Sequence, residues 1–324
     1  METWDTTRKS AAEADGTPRE RRGSRPPRRR VSGPALSGPS PGPEPPQSPG
    51  RSRPPRRPVG GTPATAPRLG AAWLNAAGVA ALAAMVAAQI ATGLRPQDLR
   101  LTTAVVVLLA VSALAFAAAA HTPRRAAGAF AAAVAAGYAA EWIGTRTGLP
   151  FGDYRYTGAL WPRPGGVPLI VALAWGGMGL AAHAVARRVA PRGRLTPILA
   201  GAVALTAWDL FLDPQMLRLG LWVWAEPGPY RGVPLANFAG WLLVSVLVMV
   251  LLDRVTGRAA ANRSVSGAQA AGTTGLVALY TVMAMMETVG FAVVFRPPDP
   301  FVAAAGGLAM GAFALLAWGR AWRR

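Results

Sequence analysis

Apolar residues along this chain neither alternate with polar ones nor keep to one helical stripe. From about residue 70 they fill the sequence in blocks, at 71–93, 102–120, 126–143, 167–186, 195–212, 234–252, 273–295 and 301–319. Each block is close to the roughly 20 residues that carry an α-helix across the hydrocarbon core of a bilayer. Helices apolar on every side are buried in protein or lipid. The pattern therefore predicts an all-α, polytopic membrane bundle of about eight transmembrane helices over residues 69–324. The polar gaps sharpen this reading. Residues 121–125 (HTPRR), 187–194 (RRVAPRGR), 253–263 (DRVTGRAAANR) and the terminal RAWRR are strongly basic, whereas the intervening gaps are mixed. With eight spans the basic gaps all fall on one side. The positive-inside rule makes that side cytoplasmic, with both termini on it, in a multi-pass protein of the cell membrane.

The blocks also predict an internal two-helix repeat. GGVPLIVALAW (165–175) and RGVPLANFAGW (231–241) share G-V-P-L and a later Trp, and both Pro168 to Pro234 and Trp175 to Trp241 span 66 residues. Proline at the first helical turn loses no hydrogen bond, so each copy should open an inward-running helix. An acid precedes each copy: Glu141 stands 27 residues before Pro168, and Asp209 stands 25 before Pro234. Blocks three and four, and five and six, read as two copies of one helix pair, within a core region spanning 125–255.

Composition changes the picture at the N-terminus. Residues 1–68 are rich in Pro, Arg, Gly and Ser and hold 14 Lys/Arg against 6 Asp/Glu. Such a segment cannot bury enough apolar surface to offset its chain entropy, so a separate disordered tail is expected over 1–68. The net charge of +19 would suit a nucleic-acid binder. The remaining basic residues, however, flank apolar blocks, so no nucleic-acid partner is expected. The tail reads as solvated, or as lying on anionic lipid head groups. Zero cysteines and only two histidines, His121 and His183, leave no disulfide framework or thiolate site and make a histidine metal site unexpected. Without a P-loop or a G-x-G-x-x-G turn, the chain points to chemistry without metal or cofactor.

Four acids interrupt the apolar blocks or their edges: Glu141, Asp209, Asp213 and Glu287. A carboxylate at mid-bilayer costs at least ~2.5 kcal/mol on insertion scales, so such residues usually face a bundle interior and serve a function. Glu141, Asp209 and Glu287 sit near the outer ends of outward-running blocks, at similar depth. Asp209 and Asp213 are one helical turn apart on one face, and Pro214 is expected to end or kink that helix. Blander readings also exist. Asp213-Pro214 suits an ordinary helix-end turn, and Glu287 suits a hydrogen bond to a neighbouring helix. Two adjacent carboxyls cannot both ionise readily, so one keeps its proton and the other can act as a base. Such a pair can protonate an alkene and steer water onto the tertiary cation, with nearby aromatic faces stabilising the charge.

The segments EWIGTRTGLPFGDYRY (141–156), WDLFLDPQM (208–216), GLWVW (220–224) and NFAGW (237–241), with the two G-V-P-L stretches, carry a resemblance. They resemble the membrane-bound carotenoid 1,2-hydratases, strongly across about 125–255 and diffusely outside. The resemblance implies a hydro-lyase without known cofactor. It would add water across the terminal C1–C2 double bond of an acyclic carotenoid, an apolar substrate held within the bilayer. Glu141, Asp209, Asp213 and Asn237 fall inside the matching motifs and are the expected catalytic residues. From the residues themselves, Asp209 is expected to donate the proton. Asp213 or Glu141 would hold the water, and Asn237 would orient a carboxyl or that water. Trp208, Trp241 and Tyr230 would shield the cation, with Trp224, Tyr154 and Tyr156 completing the substrate-binding surface. The long basic tail is not part of the family pattern. Two other classes remain compatible with the residues: an intramembrane prenyltransferase, for which D-x-x-x-D is a partial match, and a proton-coupled transporter.

Overall fold

Apolar blocks of this length fold as helices because a bilayer leaves no other partner for backbone N–H and C=O groups. The computed structural model describes residues 66–257 and 266–321, with Gly38 and Gly42 besides. The disordered tail expected over 1–68 lies almost wholly outside the described residues, as do the arginine-bearing residues 258–265 and 322–324. The helices are α1 (Ala66–Leu94), α2 (Leu99–Ala120), α3 (Pro123–Thr147), α4 (Leu169–Val189), α5 (Leu195–Arg218), α6 (Leu235–Thr256), α7 (Gly267–Val289) and α8 (Pro300–Ala321). All eight contain a stretch long and apolar enough to cross a membrane. Their ends follow local chemistry. Thr122 caps α3 through the Arg125 N–H ahead of Pro123, Gly148 closes it at φ 72°, and Ser266 with Gln269 forms a reciprocal capping box on α7.

Helix α4 is central, packing on α2, α3, α5, α6, α7 and α8. Its run of Ala and Gly permits this, since small residues let membrane helices approach closely. The two repeat copies close a ring in which α3 packs on α4, α4 on α5, α5 on α6 and α6 on α3. Pro168 and Pro234 stand just before α4 and α6 in matching extended conformations, φ −64° and −67°. The paired tryptophans meet: Trp175 and Trp241 stack with centroids 4.0 Å apart and planes 17° apart. Trp175 fits because α3 has a glycine beneath it; a Cβ at Gly137 would lie 2.3 Å from the indole.

A membrane chain reverses at every crossing, so α3, α5 and α7 end, and α4, α6 and α8 begin, at one end of the bundle. There the α3–α4 and α5–α6 connections pair as two short antiparallel strands, β1 (Tyr154–Tyr156) and β2 (Trp222–Trp224), with Tyr154 opposite Trp224 and Tyr156 opposite Trp222. We call this the strand end. Neither strand is visible in the hydropathy pattern of the chain. Glycine 240 lets the connection press onto α6, because a Cβ there would come within 2.5 Å of the Pro150 carbonyl oxygen.

Of the end or kink expected at Pro214, the end does not occur: helix α5 runs on to Arg218 with the proline inside it. Proline at 214 removes the N–H that would bond the Leu210 carbonyl. The Tyr230 hydroxyl, arriving from the α5–α6 connection, donates to that carbonyl at 2.9 Å. Burial, then the carboxylates of Asp299 and Asp209, push the Tyr230 phenol up to about 12, so it keeps the proton it donates. A Tyr230→Phe chain leaves the carbonyl unpaired, and its thermal stability in detergent is expected to fall by about 1–3 kcal/mol.

A second fastening closes the strand end. Asp299, at the start of α8, accepts from Arg218 Nη2 at 2.8 Å, from Arg231 Nε and Nη2 at 2.8 and 2.9 Å, and from the Val302 N–H at 3.2 Å. Burial alone would raise its carboxyl. The Arg231 hydrogen bond, the Val302 N–H and the two guanidinium charges outweigh it and hold the group below its ordinary value. A carboxyl depressed by folding contributes stability above about pH 4 that is lost as pH falls through its folded value. Asp299→Asn should therefore lower the melting temperature at neutral pH. The gap to the unaltered chain should close below about pH 4.

Candidate functional site

The ring of α3, α4, α5 and α6 brings the repeat's acids together at the strand end. Glu141 comes from α3, Asp209 and Asp213 from α5, and Asn237 from the first turn of α6. All four are buried, with exposures of 5%, 0%, 3% and 2%. The four residues taken from the sequence as catalytic thus lie in one region. Asn237 is its hinge. Its Nδ2 donates to Asp209 Oδ2 at 2.7 Å and also to Asp213 Oδ2. One amide group therefore bridges two carboxyls a helical turn apart. The equivalent position in the other repeat copy is Val171, so the two copies have diverged at the point where the bridge forms.

Glu141 is served from within its own copy. The Tyr156 hydroxyl donates to its Oε2 at 2.7 Å, the Tyr154 hydroxyl donates to the same oxygen, and Trp175 Nε1 donates to Oε1 at 3.2 Å. The β1 backbone sets both tyrosines at one depth. Burial, then the Glu141 charge, pushes both phenols far above their ordinary values, so each remains a donor. Gly144 makes room for this arrangement, since a Cβ there would lie 2.9 Å from Phe151 and 3.1 Å from the Tyr154 hydroxyl.

Glu141 and Asp213 line a common cavity of about 20 Å³, together with Asn237, Trp241, Trp222 and Trp224. One water needs some 10–15 Å³ of such space. Asp209 does not line it. That residue sits one turn deeper behind Asn237, and its Oδ1 is buried without a partner among the described residues. The small cavity shares Val171, Leu212, Trp222 and Trp241 with an apolar one of about 50 Å³, whose walls add Trp175 and Trp208. Trp208 packs edge-on against Trp241 at 6.2 Å. Trp224 lies 5.1 Å from the Tyr154 ring. Of the aromatic residues expected to bind substrate, Trp208, Trp241, Trp224, Tyr154 and Tyr156 line one or other cavity. Tyr230 lines neither and is instead committed to the Leu210 carbonyl.

Two residues of the site stand outside the sequence-derived set, Trp175 and Trp222. Trp175 bonds Glu141, and the Trp222 indole reaches Asp213. A signal for each was present. Trp175 is the repeat partner of Trp241, and Trp222 follows Asp209 by the same thirteen residues that separate Tyr154 from Glu141.

The fold and site together define a polytopic helical membrane protein with a buried carboxyl cluster reached through apolar, tryptophan-lined space. The chain belongs to the carotenoid biosynthesis protein family, whose model matches residues 102–312 and so covers all the residues of the cluster. That membership agrees with the resemblance read from the motifs. The chain is also similar to bisanhydrobacterioruberin hydratase of Haloarcula japonica, at 33% identity over 147 residues, 43% of this chain and 49% of that protein. The aligned part is thus about half the length of this curated relative. No solved structure matches the chain significantly.

Proposed function

We propose that this chain is a hydro-lyase that adds water to the terminal C1–C2 double bond of an acyclic carotenoid, giving a tertiary 1-hydroxy group. The observation that supports this most is the water-sized cavity between Glu141 and Asp213, which adjoins an apolar cavity walled by tryptophans. An acid, a base, a place for one water and a dry aromatic surround are what alkene hydration requires. The name of the relative, a hydratase, agrees with it.

In this reading Asp213, which borders the cavity, is the proton donor, and Asp209 is not. Asp209 and Asp213 hold one proton between them, carried by Asp213 at the start of the turnover, while the Asn237 amide donates to both carboxyls. The Asp213 carboxyl gives that proton to C2, and the π electrons form the new C2–H bond. The positive charge then rests on C1, a tertiary centre facing the indoles of Trp241, Trp208 and Trp175. A lone pair of the cavity water forms the C1–O bond. The proton leaving that water passes to Glu141, whose two tyrosine donors and Trp175 hold the carboxylate in place. Return of this proton to Asp213 restores the starting state, so atoms and charge balance over one turnover. With the basic gaps in the cytoplasm of a cell-membrane protein, the strand end and its site lie in the outer leaflet. The substrate then arrives laterally from lipid.

Expression of the full chain in cells that accumulate lycopene tests the reading. Pigment mass spectrometry should find carotenoids heavier by one water per hydrated end, with the new oxygen as a tertiary hydroxyl. Unchanged pigment in cells that hold the protein in their membranes would refute it.

A further inference from the structure

A second, mostly apolar cavity lies away from the one beside Asp213. It lies between α1, α2, α5 and α7, measures about 250 Å³, and shares Thr102, Val106, Trp208, Leu212 and Met216 with the tryptophan-lined cavity. Hydrocarbon makes up most of its wall. Yet four wall residues, one from each helix, carry a buried polar atom without a hydrogen-bond partner among the described residues: Gln89 Oε1, Thr102 Oγ1, Trp208 Nε1 and Glu287 Oε2. Glu287 is 7% exposed, Thr102 8% and Trp208 3%. An unmet polar group is costly in hydrocarbon, so four around one cavity call for a ligand that meets them. Immediately after Glu287, α7 widens into a π-helical turn, Gly290–Val294, whose Gly290 and Val294 line the same cavity. Such turns concentrate at functional sites.

The chemistry of the unmet atoms selects the ligand. The Gln89 carbonyl oxygen needs a donor, and the Trp208 indole N–H needs an acceptor. A hydrocarbon supplies neither, and a carbonyl or ether supplies only an acceptor. A hydroxyl supplies both, and the apolar remainder of the wall suits the chain that carries it. We infer that this cavity binds the hydroxyl-bearing stretch of an acyclic isoprenoid, with Glu287 Oε2 accepting its one O–H and Trp208 Nε1 donating to its oxygen. Thr102 takes either part. Glu287 is thus a specificity-determining residue, and the preferred substrate already carries a hydroxyl before water is added at its terminal double bond. The inference rests on the proposed carotenoid reading, because the polyene reaching Asp213 crosses this cavity.

The test is binding of two acyclic polyenes of equal length to the full chain in detergent, followed by quenching of tryptophan fluorescence. One polyene is a hydrocarbon and the other carries a single tertiary hydroxyl. The hydroxylated polyene is expected to bind about tenfold more tightly, the worth of one good hydrogen bond to a buried group. Glu287→Leu should remove most of that preference by weakening the hydroxylated polyene while leaving the hydrocarbon bound as before. Thr102→Val, a nearly isosteric change, should reduce it too and serves if the first variant does not fold. Equal affinity of the two polyenes for the unaltered chain would overturn the inference, as would equal weakening of both by the variants. Pigment hydration in cells is a separate readout. Water added without hydroxyl preference sinks this inference and leaves the hydratase reading standing. A clear hydroxyl preference with no water added sinks the hydratase reading instead.

Discussion

Asp213→Asn is expected to abolish water addition while the protein still accumulates in the membrane. Asparagine keeps the size of the side chain but cannot deliver the carboxyl proton. Positioned general acids contribute about 10²–10⁴-fold in rate, so the product should fall by at least that lower bound. The measurement is the ratio of hydrated to unhydrated pigment, normalised to membrane-bound protein. Asp209→Asn provides the contrast. Asp209 lies off the cavity and touches Asp213 only through Asn237, so its loss should slow the reaction less than the loss of Asp213. If Asp209→Asn proved the more damaging change, the donor would be Asp209, as expected from the residues before the cavity was known. The cavity beside Asp213 would then have no catalytic meaning.

That contrast marks where sequence reasoning stops. Two acids four residues apart on a helix share a face, and nothing in their spacing says which one borders open space. The difference comes from elsewhere in the chain, from Glu141, Tyr154 and Trp222, which wall the cavity at the level of Asp213. The eight spans were legible because the thickness of a bilayer imposes a length on every apolar block. Glu141, Asp213 and Asn237 were legible for a related reason, since polar groups stand out against hydrocarbon. The strands β1 and β2 were not. Three-residue strands rich in Tyr and Trp look the same as an interfacial aromatic belt until their pairing is known. Pro214 misled because the rule for a proline inside a helix concerns the orphaned carbonyl. The group that repairs it, Tyr230, sits sixteen residues further on across a connection. Glu287 reads from sequence equally as a functional acid and as a helix–helix hydrogen bond. Its wall position is set by α1, α2 and α5, none of which is its neighbour in the chain.

Asn237 carries the second large expectation. Its amide is the donor that both Asp209 and Asp213 accept from, so Asn237→Leu leaves two buried carboxyls facing each other with no group between them. Stranding one buried acceptor costs about 1–3 kcal/mol, and a cost near ~2 kcal/mol at the reacting carboxyl corresponds to roughly 30-fold in rate. Hydration should fall by about that factor, and thermal stability in detergent should fall with it. A double-mutant cycle separates the two roles of the residue. In a chain that already carries Asp209→Asn, the side chain at 209 supplies its own donor to Asp213, so the added cost of Asn237→Leu should shrink. If the two changes instead lowered the rate as independent factors, Asn237 would act on Asp213 alone. The shared proton would then have to be held by Asp213 and Glu141 across the water.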